Sequence, residues 1–233
     1  LKWGIIHHMI IVTGGAGFIG TNLVRSLIER DKQILIVEEL DRYTKKFENI
    51  KNLQILDCLD HNVFIKDLVN GKYVNKIDHI FHLGACSKTT EPDRDYIMDV
   101  NFDYSKKLLE YSADNNIDMI YASSASVYGD GTVFKENSSN ESFLNYYSES
   151  KLLFDNYVRE NMSKIKSQIA GMRYFNVYGP YEQHKEVMSS VIYHFYNQFK
   201  KHGMLKLFRG SHGYDDGEQR RDFVYVKDTV DIK

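Results

Sequence analysis

The sequence predicts a doubly wound α/β fold, a parallel sheet with helices on both faces. Two observations carry this expectation. Short β-branched runs alternate with amphipathic stretches along most of the chain, and the first run breaks into a glycine-rich turn that leads into apolar residues at helical spacing.

The elements follow in order. Met-Ile-Ile-Val-Thr at 9–13 is a continuous apolar run ending in glycines, as a strand buried on both faces would be. Phe18, Ile19, Leu23, Leu27 and Ile28 then recur at helical spacing. Further strands are expected at 34–37, 53–56, 79–83, 119–122 and 168–174, with helices at 62–69, 96–115 and 147–161 between them. Residues 137–142 read as a polar loop and 211–219 as a Gly- and Asp-rich surface loop. A last strand is expected at 222–225, followed by a few residues of a new helix. Residues 1–8 precede the regular pattern and are read as an extension outside the fold. The chain stops just inside an element, so a truncated protein is expected.

Composition bounds the function. With 233 residues and 42% hydrophobic, the chain has material for one ordinary domain, or one and a fraction. Thirty basic against 32 acidic residues give a net charge of −2, which offers no electrostatic reason for a nucleic-acid or anionic-membrane partner. No run approaches the roughly 18–20 apolar residues that span a bilayer. Cys58 and Cys86 are too few for a disulfide framework and lack metal-ligand spacing, so no metal and a reducing, cytoplasmic compartment are expected.

Thr13-Gly14-Gly15-Ala16-Gly17-Phe18-Ile19-Gly20 lies between the first strand and the first helix. Gly15, Gly17 and Gly20 fit G-x-G-x-x-G, while Gly14, Gly17 and Gly20 fit the longer G-x-x-G-x-x-G spacing. Glycine is needed there for the sharp bend, for backbone approach to a pyrophosphate, and for close helix–strand packing. The phosphates would meet the positive end of the helix dipole. The competing reading is a tight turn without ligand. Glu38 and Glu39 end the second strand, where a carboxylate accepts the adenosine ribose hydroxyls. Two carboxylates would repel a 2′-phosphate, whereas Arg42, Lys45 and Lys46 would neutralise one; a solvated charged loop competes with that role. Asp57 and His61 are expected near the adenosine.

Tyr147-Ser148-Glu149-Ser150-Lys151 sets a tyrosine and a lysine four apart on one helix face. A free phenol has a pKa of about 10 and is a poor base at neutral pH. An ammonium about 4 Å away would favour the phenolate by on the order of 4 kcal/mol at an effective dielectric of about 20, so Lys151 is expected to bring Tyr147 toward neutrality. Ser123-Ser124, after the fifth strand, falls at the carboxyl edge of the sheet, where ligands bind in open α/β folds. His79 and His82 flank an apolar strand and read as core or edge residues.

Together these features resemble the extended short-chain dehydrogenase/reductase superfamily. Further segments narrow the resemblance to its nucleotide-sugar epimerases: Gly84-Ala85-Cys86-Ser87-Lys88-Thr89-Thr90-Glu91, Tyr121 to Gly129 (YASSASVYG), Arg173 to Pro180 (RYFNVYGP), His184-Lys185 with Met188-Ser189-Ser190-Val191, and Arg221-Asp222-Phe223-Val224-Tyr225-Val226. The resemblance implies a Rossmann-type NAD(P)-binding domain over 9–175 and the start of a smaller substrate-binding portion over 176–233. It implies an ADP-linked manno-heptose as substrate, inverted at side-chain C6 for lipopolysaccharide core synthesis, with NADP as cofactor and NAD as the alternative. A homo-oligomer is expected.

Residue by residue, the resemblance makes Tyr147 and Lys185 the two acid/base groups. Ser124 positions the substrate oxygen, and Lys151 holds the cofactor ribose and tunes Tyr147. To the cofactor it assigns Phe18 and Ile19 beside the glycine turn, then Glu38, Glu39 and Lys45, with His61 added from its place after the third strand. Leu83, Gly84, Ala85, Cys86 and Ser87 follow, together with Asn101, Lys151, Val177 and Lys185. To the substrate it assigns Asn176, Val187 and His194, then Phe208, Arg209, Gly210, Ser211 and Arg221. Arg221 is suited to clamp a pyrophosphate, whereas His194 beside Val191, Ile192 and Phe195 also reads as a packed core residue. The family carries an acid and then an amide where this chain has Glu38-Glu39, and the 211–219 loop is longer than usual.

Two other readings compete. A 4,6-dehydratase needs an Asp-Glu pair after the active-site hydroxyl, but Ala125-Ser126 follow Ser124. A non-catalytic NAD(P)-binding fragment would not need Tyr147, Lys151, Ser124 and Lys185 intact.

Overall fold

A computed structural model of the chain describes residues 8–40, 45–211 and 213–231. Six strands form one sheet: β1 (Met9–Thr13), β2 (Ile34–Glu38), β3 (Asp57–Asp60), β4 (Ile77–His82), β5 (Asp118–Ser124) and β6 (Ile169–Tyr174). Their order is β3-β2-β1-β4-β5-β6, and every neighbouring pair is parallel.

Helices cover both faces. Alternate residues of a strand point to opposite sides, and β1 shows the consequence directly. Ile11 packs on one side with Phe64 and Leu68 of α2 (His61–Val69), Leu108 and Leu109 of α4 (Tyr104–Asp114), and Phe154 and Val158 of α5 (Tyr146–Asn161). Ile10 and Val12 pack on the other with Leu23, Val24 and Leu27 of α1 (Phe18–Ile28) and Val230 of α7 (Val226–Asp231). The doubly wound expectation is met.

Two elements differ from the sequence reading. The third strand is not 53–56 but β3, immediately after it. Leu53 and Ile55 turn beneath the sheet into the core beside α1, and Leu56 N–H already bonds Ile34 O at 2.8 Å. The paired ladder begins only at Asp57 opposite Leu35. An edge strand tolerates such polar residues, and Asp60 caps α2 by accepting from the Asn62 and Val63 N–H groups. The helix expected at 96–115 is three pieces: α3 (Arg94–Ile97), a π-helical turn at Met98–Asp103, and α4. The wider turn rotates Asn101 into the protein, where it is buried.

The chain then adds β7 (Asn176–Tyr178), α6 (Val191–His202) and β8 (Phe223–Tyr225), with β7 and β8 paired in parallel as a separate two-stranded sheet. Strand order reverses between β1 and β4, and this switch point opens a crevice at the carboxyl ends of the sheet. Among the described residues, no helix is long and apolar enough to cross a membrane. Residues 1–7, most of the expected extension, lie outside the described residues, as does Arg42.

Candidate active site

The crevice is a cavity of about 1100 Å³. Its floor is the glycine turn. Gly14 has φ +69°, and a Cβ there would sit 2.7 Å from the Gly84 nitrogen. A Cβ on Gly20 would sit 2.0 Å from Gly14 O. The turn and the segment just after β4 therefore touch through bare backbone. No side chain caps α1, so its first-turn amides remain free at the cavity, which Gly17, Phe18 and Ile19 line. A narrow glycine cradle ending in uncapped amides fits a dinucleotide pyrophosphate.

At the end of β2 the Glu38 carboxylate is buried. Its Oε1 accepts from Ala16 N–H at 3.0 Å, and its Oε2 from Lys46 Nζ at 2.6 Å. Glu38, Glu39 and Lys46 line the cavity. Lys45 does not: it is exposed and pairs with Glu186 at 3.1 Å. A smaller cavity of about 130 Å³ adjoins this end, lined by His61, Cys86 and Tyr104 among others. The buried His61 Nδ1 makes no hydrogen bond there, with Asp60 Oδ2 3.7 Å away.

Leu83, Gly84, Ala85 and Ser87 line the main cavity. Asn101 supports them from behind. Its Oδ1 accepts from Cys86 N–H at 2.8 Å, and its Nδ2 donates to Cys86 O and to Ser150 Oγ, both at 3.0 Å. The side chain is thus spent on shaping this segment.

Across the crevice, α5 opens with a capping box in which Asn145 and Ser148 satisfy each other's backbone N–H groups. The cap fixes the helix start, and the helical repeat then stacks Tyr147, Lys151 and Asp155 on one face. Lys151 is buried and donates to Ala122 O at 2.8 Å, with Nζ 6.0 Å from the Tyr147 ring centre. Asp155 accepts from Tyr121 Oη at 2.9 Å, Ser123 Oγ at 2.8 Å and Arg173 at 3.2 Å, which locks α5 onto β5. Ser124 Oγ accepts from both the N–H (3.2 Å) and the O–H (2.9 Å) of Ser126. Its own proton is then free to turn toward Tyr147, whose phenol it helps to acidify.

The electrostatics differ from the sequence reading. Burial pushes the Tyr147 phenol above its ordinary value; the Ser124 hydrogen bond opposes this and nearby Cys86 adds to it. Burial also pushes Lys151 down to about 8, against the pull of Asp155. At that value Lys151 still carries its charge at neutral pH, 6.0 Å from the Tyr147 ring centre. Lys185 is partly buried, with Nζ 5.8 Å from the Phe18 ring centre. Burial lowers its pKa and Glu182 opposes the shift.

At the far end, Asn176, Val177, Phe208, Arg209, Ser211 and Arg221 line the same cavity as Tyr147 and Lys185. Three residues assigned to the substrate do not. Val187 is 87% exposed, Gly210 is turned away with its N–H on Asp216 Oδ1 at 2.6 Å, and His194 is exposed on α6. Val191 and Phe195 reach the cavity instead of His194, which sits about 100° around the helix from Phe195. The sequence reading missed Tyr174, Phe175 and His184 as lining residues. The rule that led to Ser124, position at the carboxyl edge of a strand, also finds Tyr174 and Phe175 after β6.

Comparison with known proteins decides the family. The pattern of the NAD dependent epimerase/dehydratase family matches residues 10–232. The chain belongs to that family. Within it, the chain is 49% identical to an ADP-L-glycero-D-manno-heptose-6-epimerase of Alkalilimnicola ehrlichii over 97% of this chain and 70% of that protein. It is 50% identical to the protein of the same name from Thiobacillus denitrificans, over 95% of this chain and 67% of the relative. The crystal structure of the Helicobacter pylori ADP-L-glycero-D-manno-heptose-6-epimerase superposes with a TM-score of 0.82 at 32% identity, covering 96% of this chain and 71% of that one. Membership in this NAD-dependent family supports a nicotinamide dinucleotide as cofactor.

Proposed function

We propose that this chain inverts the side-chain C6 carbon of an ADP-linked manno-heptose, using a bound nicotinamide dinucleotide, NADP by preference. One observation supports this above the others: Tyr147, Ser124 and Lys185 line a single cavity with the uncapped glycine turn, in a chain about half identical to enzymes named for that reaction. The 9–175 segment would bind the dinucleotide and 176–233 the sugar nucleotide.

The chemistry explains the residue set. No carbonyl acidifies the C–H bond of a secondary alcohol carbon, so deprotonation alone cannot invert it. The dinucleotide supplies a reversible hydride acceptor and is regenerated at each turnover. The protein's task is to hold the alcohol and to move its proton. Ser124 orients the substrate oxygen. Tyr147 takes and returns the hydroxyl proton on one face of the carbon, and Lys185, approaching from the 180–189 loop, serves the other. Lys151 holds the ribose beside Tyr147, and Arg221 pairs with the diphosphate. We expect the reaction in the cytoplasm, in a homo-oligomer, as a step toward the lipopolysaccharide core.

Substrate carrying deuterium at C6 tests the reading. The label should persist in the inverted product with none lost to water. Exchange of that position with solvent would show inversion by deprotonation and remove the reading.

A further inference from the structure

Lys185 lies in a loop whose middle, Gln183–Met188, is a short 3₁₀ turn kinked at Glu186. Tyr181 and Glu186, neither of them glycine, have φ of +74° and +49°. Such backbone costs about 1–3 kcal/mol per residue and persists only where surroundings enforce it. Part of the enforcement is internal. Glu182 is buried and accepts from Gly179 N–H at 3.1 Å and from Ser190 N–H and O–H at 2.6 and 3.0 Å, which closes the loop on the start of α6.

The external enforcement converges on Asn49, the last residue of the single helical turn Lys45–Asn49. The residue is 4% exposed. The Nδ2 group lies within reach of Tyr181 O at 3.3 Å, His184 Nδ1 at 3.2 Å and Ala16 O at 3.4 Å, and Oδ1 accepts from Gln183 Nε2 at 3.2 Å. Arg25 of α1 donates to Asn49 O at 3.2 Å and lies over the Tyr181 ring at 4.5 Å. One buried amide therefore touches the glycine turn through Ala16 and three residues of the loop, the last of them adjacent to Lys185. At the other end of the same helical turn, Lys45 holds Glu186, the residue after Lys185.

We infer that Asn49 is a positioning residue for Lys185, fixing its loop against the glycine turn so that the amine and the dinucleotide site hold one relative geometry. The inference rests on the proposed acid/base role of Lys185 but can fail separately from it. Asn49 touches neither substrate nor reacting atoms and acts only through the loop.

The test uses the full chain as wild type, Asn49→Ala and Gln183→Ala. Lysines are acetylated with acetic anhydride across a pH range, with and without NADP, and the Lys185 and Lys151 peptides are followed by mass spectrometry. Loss of a buried hydrogen bond to the loop should speed Lys185 labelling about tenfold in Asn49→Ala and about threefold in Gln183→Ala. Lys151 labelling should be unchanged. In parallel, kcat is measured for Asn49→Ala, Lys185→Met and the double variant. A residue acting through Lys185 gives a double variant no slower than Lys185→Met alone. Losses that multiply, or Lys185 labelling unaltered in both loop variants, overturn the inference. Wild-type turnover by Lys185→Met overturns the acid/base role instead, and the labelling still judges Asn49. Should Asn49→Ala fail to fold, Gln183→Ala, at an exposed residue, carries both measurements.

Discussion

Lys46 Nζ lies 2.6 Å from Glu38 Oε2, and both side chains line the cavity at the end of β2. The pair is mostly shielded from solvent, so its charges are weakly screened. A 2′-phosphate arriving there would compete with Glu38 for Lys46, whereas a bare ribose would use the carboxylate.

Lys46→Met is therefore expected to weaken NADP binding by about tenfold, with NAD changed by less than about threefold, since one charge-assisted contact is worth about 1.5–3 kcal/mol at most. Lys45→Met should leave both affinities unaltered, because Lys45 is turned to Glu186. Fluorescence titration of both dinucleotides measures this. A larger NADP loss in the Lys45 variant, or a clear NAD preference in the wild type, would discard the NADP assignment.

Tyr147→Phe keeps the ring and removes the hydroxyl at the cavity. Turnover should fall by about 10²–10⁴, the usual value of a positioned acid/base, while the dinucleotide Kd stays within about twofold. Because burial holds the phenol above its ordinary value, the difference titration of wild type against Tyr147→Phe should show it ionising at lower pH with NADP bound than without. A mutant that turns over like wild type would strip Tyr147 of its role.

His82 is buried between Thr13 Oγ1 and Ser105 Oγ, each 2.7 Å from a ring nitrogen. Ser105 donates onward to Asn101 O at 2.5 Å, so it accepts from His82 and the ring proton sits on Nε2. Burial, with the Lys151 charge adding, pushes the His82 pKa down to about 3 from 6.5. Between those values the unfolded chain binds the proton and the native one does not, so stability rises with pH across the window and is lost on acidification. His82→Gln should be less stable at pH 7 yet show a flatter decline from about pH 6.5 to pH 3 in urea unfolding. Parallel declines in the two proteins would contradict the placement of His82.

Asp155 gathers three donors from β5 and β6 while sitting one helical turn beyond Lys151. Asp155→Ala leaves Arg173, Tyr121 and Ser123 without this partner and should cost about 3–5 kcal/mol, as breaking a buried charge pair does. Denaturant midpoints give the value. A loss below about 1 kcal/mol would mean that Glu141, which also pairs with Arg173, carries the network alone.

What could be read along the chain was whatever depends on near neighbours. Alternation and helical spacing gave the strand and helix order, because each element sorts its own apolar residues to one side. The glycine turn was legible because the constraint is steric and local, although only Gly84 opposite shows why Gly14 admits no Cβ. Tyr147 and Lys151 were legible as a pair because one helical turn joins them.

The tertiary structure decided what depends on distant partners. Lys45 and Lys46 are adjacent and alike in sequence, and only Glu38 on one side and Glu186 on the other separate their roles. The 53–56 run has the composition of a strand, but the hydrogen-bonding edge of β2 pairs from Asp57 onward. The pKa directions of Tyr147 and Lys151 follow from desolvation, which exists only once the chain is packed. Asn49 carries no motif; its partners at 181–184 lie more than 130 residues away, and no local pattern encodes contacts that the fold itself brings together.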